Sequence, residues 1–233
     1  MIKIKKLSKK FGSVDVLKGV NMTLKPGLTA ILGPNASGKT TLIKSILGLV
    51  IPDKGDILIN DKSINKKWNQ KKIIRYLPQI AKFPDNLTVN EIFAMIQDLR
   101  NEKGKPESLV TQFGLTDYLD KKLGNLSGGT RQKVNLVLTF MFDSEVLILD
   151  EPTSGLDPVS QLRLKEIIID EKFKGRTIVM TTHIMSLVEE LADEVAFLLE
   201  GKLYFQGSID EIKKKAEKSD LEHAIAQLLS GHK

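Results

Sequence analysis

Gly33-Pro34-Asn35-Ala36-Ser37-Gly38-Lys39-Thr40 stands between an apolar run, Leu28 to Leu32, and a helical pattern, Thr41 to Leu49. It fits G-x-x-x-x-G-K-[ST] with a strand before it and a helix after it, the context in which that spacing has a physical meaning. Glycines at 33 and 38 let the backbone curl so that successive N–H groups face one point, where the positive end of the following helix also acts. Gly33 through Thr41 is therefore a candidate phosphate loop. Lys39 would reach the β- and γ-phosphates of a nucleotide and Thr40 would offer a hydroxyl to Mg²⁺.

Around this loop, short apolar runs alternate with helical patterns: Leu28 to Leu32, Ile73 to Leu77, Val146 to Leu149, Thr177 to Met180 and Val195 to Leu199. Several are apolar at every residue and bounded by Gly or Pro, the pattern of parallel strands buried on both faces. The reading is an α/β fold, a P-loop NTPase core with a mostly parallel sheet. Ile2 to Leu7 and Val14 to Leu24 alternate more, which predicts an N-terminal antiparallel β subdomain.

From Ala81 to Asn125 no strand pattern appears. Thr88-Val89-Asn90-Glu91 forms a capping box, and Val89, Ile92, Phe93, Ile96 and Leu99 follow at helical spacing. The spacing predicts an inserted helical subdomain over 81–125. A second Ser-x-x-Glu box opens a helix over Ser208 to Ala216, and Leu221, Ala224, Ile225, Leu228 and Leu229 share one stripe of a helix over Ser219 to Leu229. Residues 1–233 read as one domain with a C-terminal helical tail at 208–233.

Composition bounds the rest. The chain has 233 residues, 35 Lys and Arg against 29 Asp and Glu for a net charge of +6, 41% hydrophobic residues, three histidines and no cysteine. Disorder is excluded. No apolar stretch approaches the ~20 residues of a membrane helix, and Met1 to Lys6 carries no secretory h-region. The expected location is intracellular. Without cysteine, disulfides, thiolate nucleophiles and cysteine zinc sites are excluded. Lysine clusters at Lys3 to Lys10, Lys62 to Lys72 and Lys213 to Lys215 read first as solvated faces.

Val146-Leu147-Ile148-Leu149 ends in Asp150-Glu151 at the carboxyl edge of the sheet, where ligands of open α/β sheets bind. Asp150 would hold Mg²⁺, and Glu151 would orient or deprotonate an attacking water. Leu126-Ser127-Gly128-Gly129-Thr130 precedes a helical stretch, Arg131 to Phe142, and offers free backbone donors at a helix start.

The order of these motifs, with Gln79 after a strand, Ser154-Gly155-Leu156-Asp157 after Asp150-Glu151, and His183 after Thr177 to Thr182, resembles the ATP-binding subunit of ABC transporters over nearly the whole chain. The resemblance implies ATP and Mg²⁺ as ligands. It implies that Phe11 stacks on adenine, that Gln79 contacts Mg²⁺ and the lytic water, that His183 contacts the γ-phosphate, and that Ser127, Gly128 and Gly129 bind the γ-phosphate of ATP held by another subunit. Asp157 is implied to act across that dimer.

The resemblance further implies an ATP-sandwich homodimer, peripheral on the cytoplasmic side of the plasma (inner) membrane and joined to separate integral membrane subunits. Phe83, Leu87 and Phe93 are candidates for lining a groove that receives them. Two positions depart from the family pattern: Phe11 stands for the usual Tyr, and Thr130 for the usual Gln, with Gln132 two places later.

A non-transport ABC ATPase acting on nucleic acid or ribosomes is the alternative. Chromosome and repair ATPases separate loop and signature by long coiled coils, and translation factors carry two ATPase units. Only Thr41 to Leu126 lies between them here, with one copy of each, so no nucleic acid partner is expected. Leu77 to Thr88 and Leu126 to Val134 look like the ATPase subunit of the transporter serving nitrous oxide reductase maturation, associated with copper or sulfur delivery. Another exporter or an importer is the alternative.

Overall fold

The structure, a computed structural model, describes residues 1–64, 73–217 and 220–230. The lysine cluster at Lys62 to Lys72 falls mostly outside these residues, as do Ser219 and His232. The side chains of Leu228 and Leu229, predicted on the last helical stripe, also lie outside what is described.

Two sheets stack through one apolar layer. The first is antiparallel in the order β2-β1-β4-β5, with β1 at Ile2–Phe11, β2 at Val14–Leu24, β4 at Lys54–Ile59 and β5 at Lys62–Ser63. The second has β3 (Gly27–Leu32), β6 (Ile74–Leu77), β7 (Val146–Asp150), β8 (Thr177–Thr181), β9 (Glu194–Leu199) and β10 (Lys202–Gly207), in the order β10-β9-β3-β8-β7-β6. Its pairings from β9 to β6 are parallel, and β10 closes one edge as an antiparallel hairpin partner of β9.

Alternation along the central strands sends side chains to two cores. Ile31, Ile148, Val179 and Leu198 pack with helix α1 (Lys39–Ile46) against Ile2, Ile4, Leu7 and Ile57 of the antiparallel sheet. Ala30, Leu147, Leu149, Met180 and Phe197 face the opposite layer of helices. That layer holds α2 (Val89–Arg100), α3 (Glu107–Gln112), α4 (Gly128–Phe140), α5 (Pro158–Phe173), α6 (Met185–Leu191), α7 (Ile209–Lys215) and α8 (Leu221–Ser230).

The capping boxes form as read: Thr88 Oγ1 accepts from Glu91 N–H and Ser208 Oγ from Glu211 N–H, with each glutamate returning the bond. Other expectations are corrected. Helix α1 stops at Ile46, short of Leu49, because Gly48 turns the chain at φ 65° and leaves Leu49 exposed. Helix α4 begins at Gly128 rather than Arg131, since Ser127 Oγ already accepts from Thr130 N–H. Leu99, predicted on the buried stripe of α2, is 74% exposed. Phe93 cannot line a docking groove because it is buried in the core, while Phe83 and Leu87 are half-buried against that core.

Candidate functional site

The phosphate loop runs from the end of β3 to α1, squeezed between neighbours that tolerate no side chain at two points. A Cβ at Gly33, φ 146°, would lie 2.1 Å from the Leu198 carbonyl oxygen; one at Gly38, φ 104°, would lie 2.9 Å from that of Val16. Ala36 also takes a left-handed conformation, φ 61°. Lys39 Nζ folds back to donate to the Gly33 and Pro34 carbonyls at 2.6 and 2.9 Å, so the loop's own oxygens stand where an anion would. Burial lowers the Lys39 pKa below the ordinary lysine value, and the charges of Glu151 and Asp150 oppose that.

A cavity of 580 Å³ opens over this loop. Asn35 through Thr41 form its floor, and Gln79, Asp150, Glu151 and His183 its wall. Parallel pairing explains the convergence: β3, β7 and β8 end side by side, with Asp150 opposite Thr181 in register, so their carboxyl ends deliver the loop, the two acids and His183 to one edge.

Thr181 Oγ1 donates to Asp150 Oδ1 at 2.5 Å and fixes one carboxylate oxygen. Tyr76 on β6 approaches the other at 3.5 Å, and burial together with that acid pushes the phenol up to about 12. Glu151 adopts φ 48°, rare for a side chain of this size, and its N–H donates to the Thr181 carbonyl at 3.0 Å. That turn aims its half-sheltered carboxylate at the cavity, where His183 Nε2 stands 3.3 Å from Glu151 Oε1. His183 itself is largely exposed, not a core residue.

The donor set suits Mg²⁺ bound to phosphate. Thr40 hydroxyl, Gln79 amide and Asp150 carboxylate are hard oxygen donors lining one cavity. Among the described residues no group of three or more His, Asp or Glu side chains is placed to hold a metal ion by itself. A cation here would therefore draw its remaining ligands from phosphate oxygens and water.

Other predicted residues are elsewhere. Gly33 and Pro34, the first residues of the loop, do not line the cavity. Phe11 is exposed outside the cavity, with Lys9 Nζ 5.3 Å from its ring centroid, but it pairs in the β1-β2 hairpin with Val14, which lines the rim. Ser127 and Gly128 are exposed at the start of α4, and Gly129 abuts the Gly155 carbonyl, where a Cβ would come within 2.8 Å.

Asp157 is engaged within its own chain. It caps α5 through Ser160 N–H and the Ser160 hydroxyl and pairs with Lys133 Nζ at 2.7 Å. These bonds, the Lys133 one foremost, hold its carboxyl far below the usual range. Thr130 bonds the Ser127 hydroxyl at 2.9 Å, whereas Gln132 is buried against Asn135 and does not substitute for the missing glutamine at 130.

Sequence reasoning missed Thr181, Val14 and Val16 as cavity residues. The polar ending of the run Thr177 to Thr182 was the available signal for the first. Nothing local distinguishes the two valines from other strand residues.

The comparisons with known proteins agree with this geometry. The model of the family described as "ABC transporter" matches residues 17–154. The L-cystine import ATP-binding protein TcyN of Bacillus subtilis strain 168 is 32% identical over 232 residues, covering 94% of this chain and 90% of that one. The lantibiotic transport ATP-binding protein SrtF of Streptococcus pyogenes is 32% identical over 215 residues, covering 90% and 92%. A solved structure described as the ATP binding subunit of an ABC transporter superposes with a TM-score of 0.93 at 27% identity, over 98% of this chain and 99% of that one. With a family match over more than half its length and relatives of this identity along nearly all of it, the chain belongs to the ABC transporter family and is an ATP-binding subunit and ATPase of that family.

Proposed function

We propose that two copies of this chain hydrolyse Mg²⁺–ATP between them and drive separate integral membrane subunits, to which they bind peripherally from the cytoplasmic side. The whole of 1–233 acts as one cassette, with 81–125 as its helical subdomain. The observation that carries this reading is the split of the predicted residues. One cavity gathers Lys39, Thr40, Gln79, Asp150, Glu151 and His183, while Ser127, Gly128 and Gly129 lie outside it at the start of α4. Each copy thus holds a nucleotide floor and, apart from it, an exposed helix start suited to an anion.

Lys39 exchanges two carbonyl bonds for phosphate oxygens. Asp150, aligned by Thr181, holds the cation, which when bound offsets charge on the transferred phosphate. Glu151 takes the proton of the attacking water, and His183 orients that carboxylate and meets the γ-phosphate. Phe11, beside the rim residue Val14, stacks on the base. Among the described residues no helix is long and apolar enough to cross a membrane, which supports a peripheral subunit.

Glu151→Gln keeps the shape but cannot accept the proton. It should bind ATP as the wild type does and lose at least about 100-fold in turnover. Hydrolysis at the wild-type rate would remove Glu151 from this role.

For cargo we infer copper or sulfur delivery for nitrous oxide reductase maturation, a reading supported by residues 77–88 and 126–134 alone. Relatives of equal identity are named for cystine import and lantibiotic transport, which favours choice of cargo by the membrane subunits. Identification of the membrane chains that co-purify decides between these.

A further inference from the structure

Strict alternation along β1 would turn Lys5 and Lys6 to opposite faces. The register with β2 instead shifts between Ile4 and Leu7, and Lys6 takes φ 47°, a conformation disfavoured for a lysine. Ile4 and Leu7 thereby both stay buried, while Lys5 and Lys6 are both exposed. With Lys54 of β4 they line a 670 Å³ basin on the outer face of the antiparallel sheet. Gly55 and Gly19 leave its floor bare. A Cβ at Gly55 would lie 2.4 Å from the Lys5 carbonyl oxygen, so β4 meets the bulge there by backbone alone. Ser8 Oγ, fixed by Gly19 N–H at 3.0 Å, stands at the edge.

Neighbouring lysines have acids of their own. Lys3 pairs with Asp61 at 2.6 Å and Lys9 with Asp53 at 2.9 Å. Among the described residues, Lys5, Lys6 and Lys54 take part in no ion pair within 4.0 Å. Asp56, the basin's acid and the residue opposite Lys5 in the β1-β4 register, accepts from two neutral donors, Ile57 N–H at 2.9 Å and the Ser63 hydroxyl at 2.6 Å. Three lysines against the one carboxylate of Asp56 leave the basin's surroundings with an excess of positive charge that repels itself. An anion in the basin relieves that repulsion.

We propose that this basin is a second anion site, distinct from the nucleotide cavity, and that it takes a phosphate-bearing ligand through the ammonium groups of Lys5, Lys6 and Lys54. The chemistry is shared by soluble polyphosphates and by phospholipid headgroups, and the test separates them. Full-length protein saturated with Mg²⁺–ADP, so that the phosphate loop is filled, is titrated with inorganic pyrophosphate by calorimetry. The same protein is sedimented with vesicles of phosphatidylglycerol in phosphatidylcholine.

Binding of pyrophosphate assigns the soluble class, and binding of the vesicles alone assigns the headgroup. In either arm Lys5→Ala/Lys54→Ala should weaken binding at least about tenfold, as loss of charge-assisted bonds requires. ATP turnover should be unchanged. Lys6→Gly should weaken the same binding while raising thermal stability, because glycine accepts φ 47° without strain. A purely structural lysine would not move both in those directions. The proposal is overturned if neither probe binds, if the Lys5/Lys54 variant binds as tightly as wild type, or if Lys202→Ala/Lys214→Ala, on exposed lysines outside the basin, weakens binding equally.

Discussion

Lys39 shows how one residue carries a cost in the folded chain. Its ammonium is partly desolvated and bonded to two loop carbonyls, and its pKa is lowered by burial. Folded chain therefore releases this proton at a lower pH than unfolded chain. Between the lowered value and 10.5 the unfolded state binds more protons, so stability gains with rising pH from this group. Lys39→Met lacks the buried charge and the gain. Its melting temperature should exceed that of the wild type near neutral pH, with the difference shrinking as pH approaches 10.5; a difference that grows with pH contradicts the account. At this scale the backbone geometry was legible where residue type and spacing set it, as at Gly33 and Gly38, and so was the placement of Lys39 and Asp150 around one cavity. Thr181 and the intrachain pairing of Asp157 with Lys133 were not, because each depends on which strand or helix becomes a neighbour.

Elements were legible where their periodicity is strong. The buried runs around Ile31, Ile148 and Val179 became adjacent parallel strands, and both capping boxes closed. Strands β4, β5 and β10 were not read, being short edge or hairpin pieces whose pairing supplies what their pattern lacks. Leu99 kept helical spacing yet lies in solvent because the core contact of α2 ends a turn earlier. There the chain is held by charge instead. Buried Arg75 on β6 bonds Glu102 at 3.1 Å, Arg100 Nε lies 3.5 Å from the same carboxylate, and both guanidinium carbons stand about 5 Å from the Phe142 ring centroid. Burial, with Arg100 adjacent, brings Arg75 down to about 10, so it stays charged at neutral pH. Glu102→Gln leaves that charge without its carboxylate. It should cost about 1–2 kcal/mol by denaturant unfolding, less than a fully buried pair because Glu102 is 40% exposed. No measurable loss would show that this ion pair does not hold the end of α2.

At the scale of the whole molecule, one chain places its phosphate loop in a cavity and its Ser127-Gly128-Gly129 turn outside that cavity, and the proposed enzyme joins the loop of one copy to the turn of another. Lys39→Ala damages the first half and Gly128→Asp the second. Gly128 has open space where a Cβ would stand and no positive φ, so the aspartate folds in without strain and acts by its charge against phosphate. Two damaged sites arise in either homodimer, whereas a mixed dimer collects both lesions in one site and leaves the other whole. The measurement is ATP-dependent pairing of differently tagged Lys39→Ala and Gly128→Asp chains, by pull-down or sedimentation. The account predicts that the mixture pairs on ATP and that each variant alone does not; mixed chains that pair no better than either alone would contradict it.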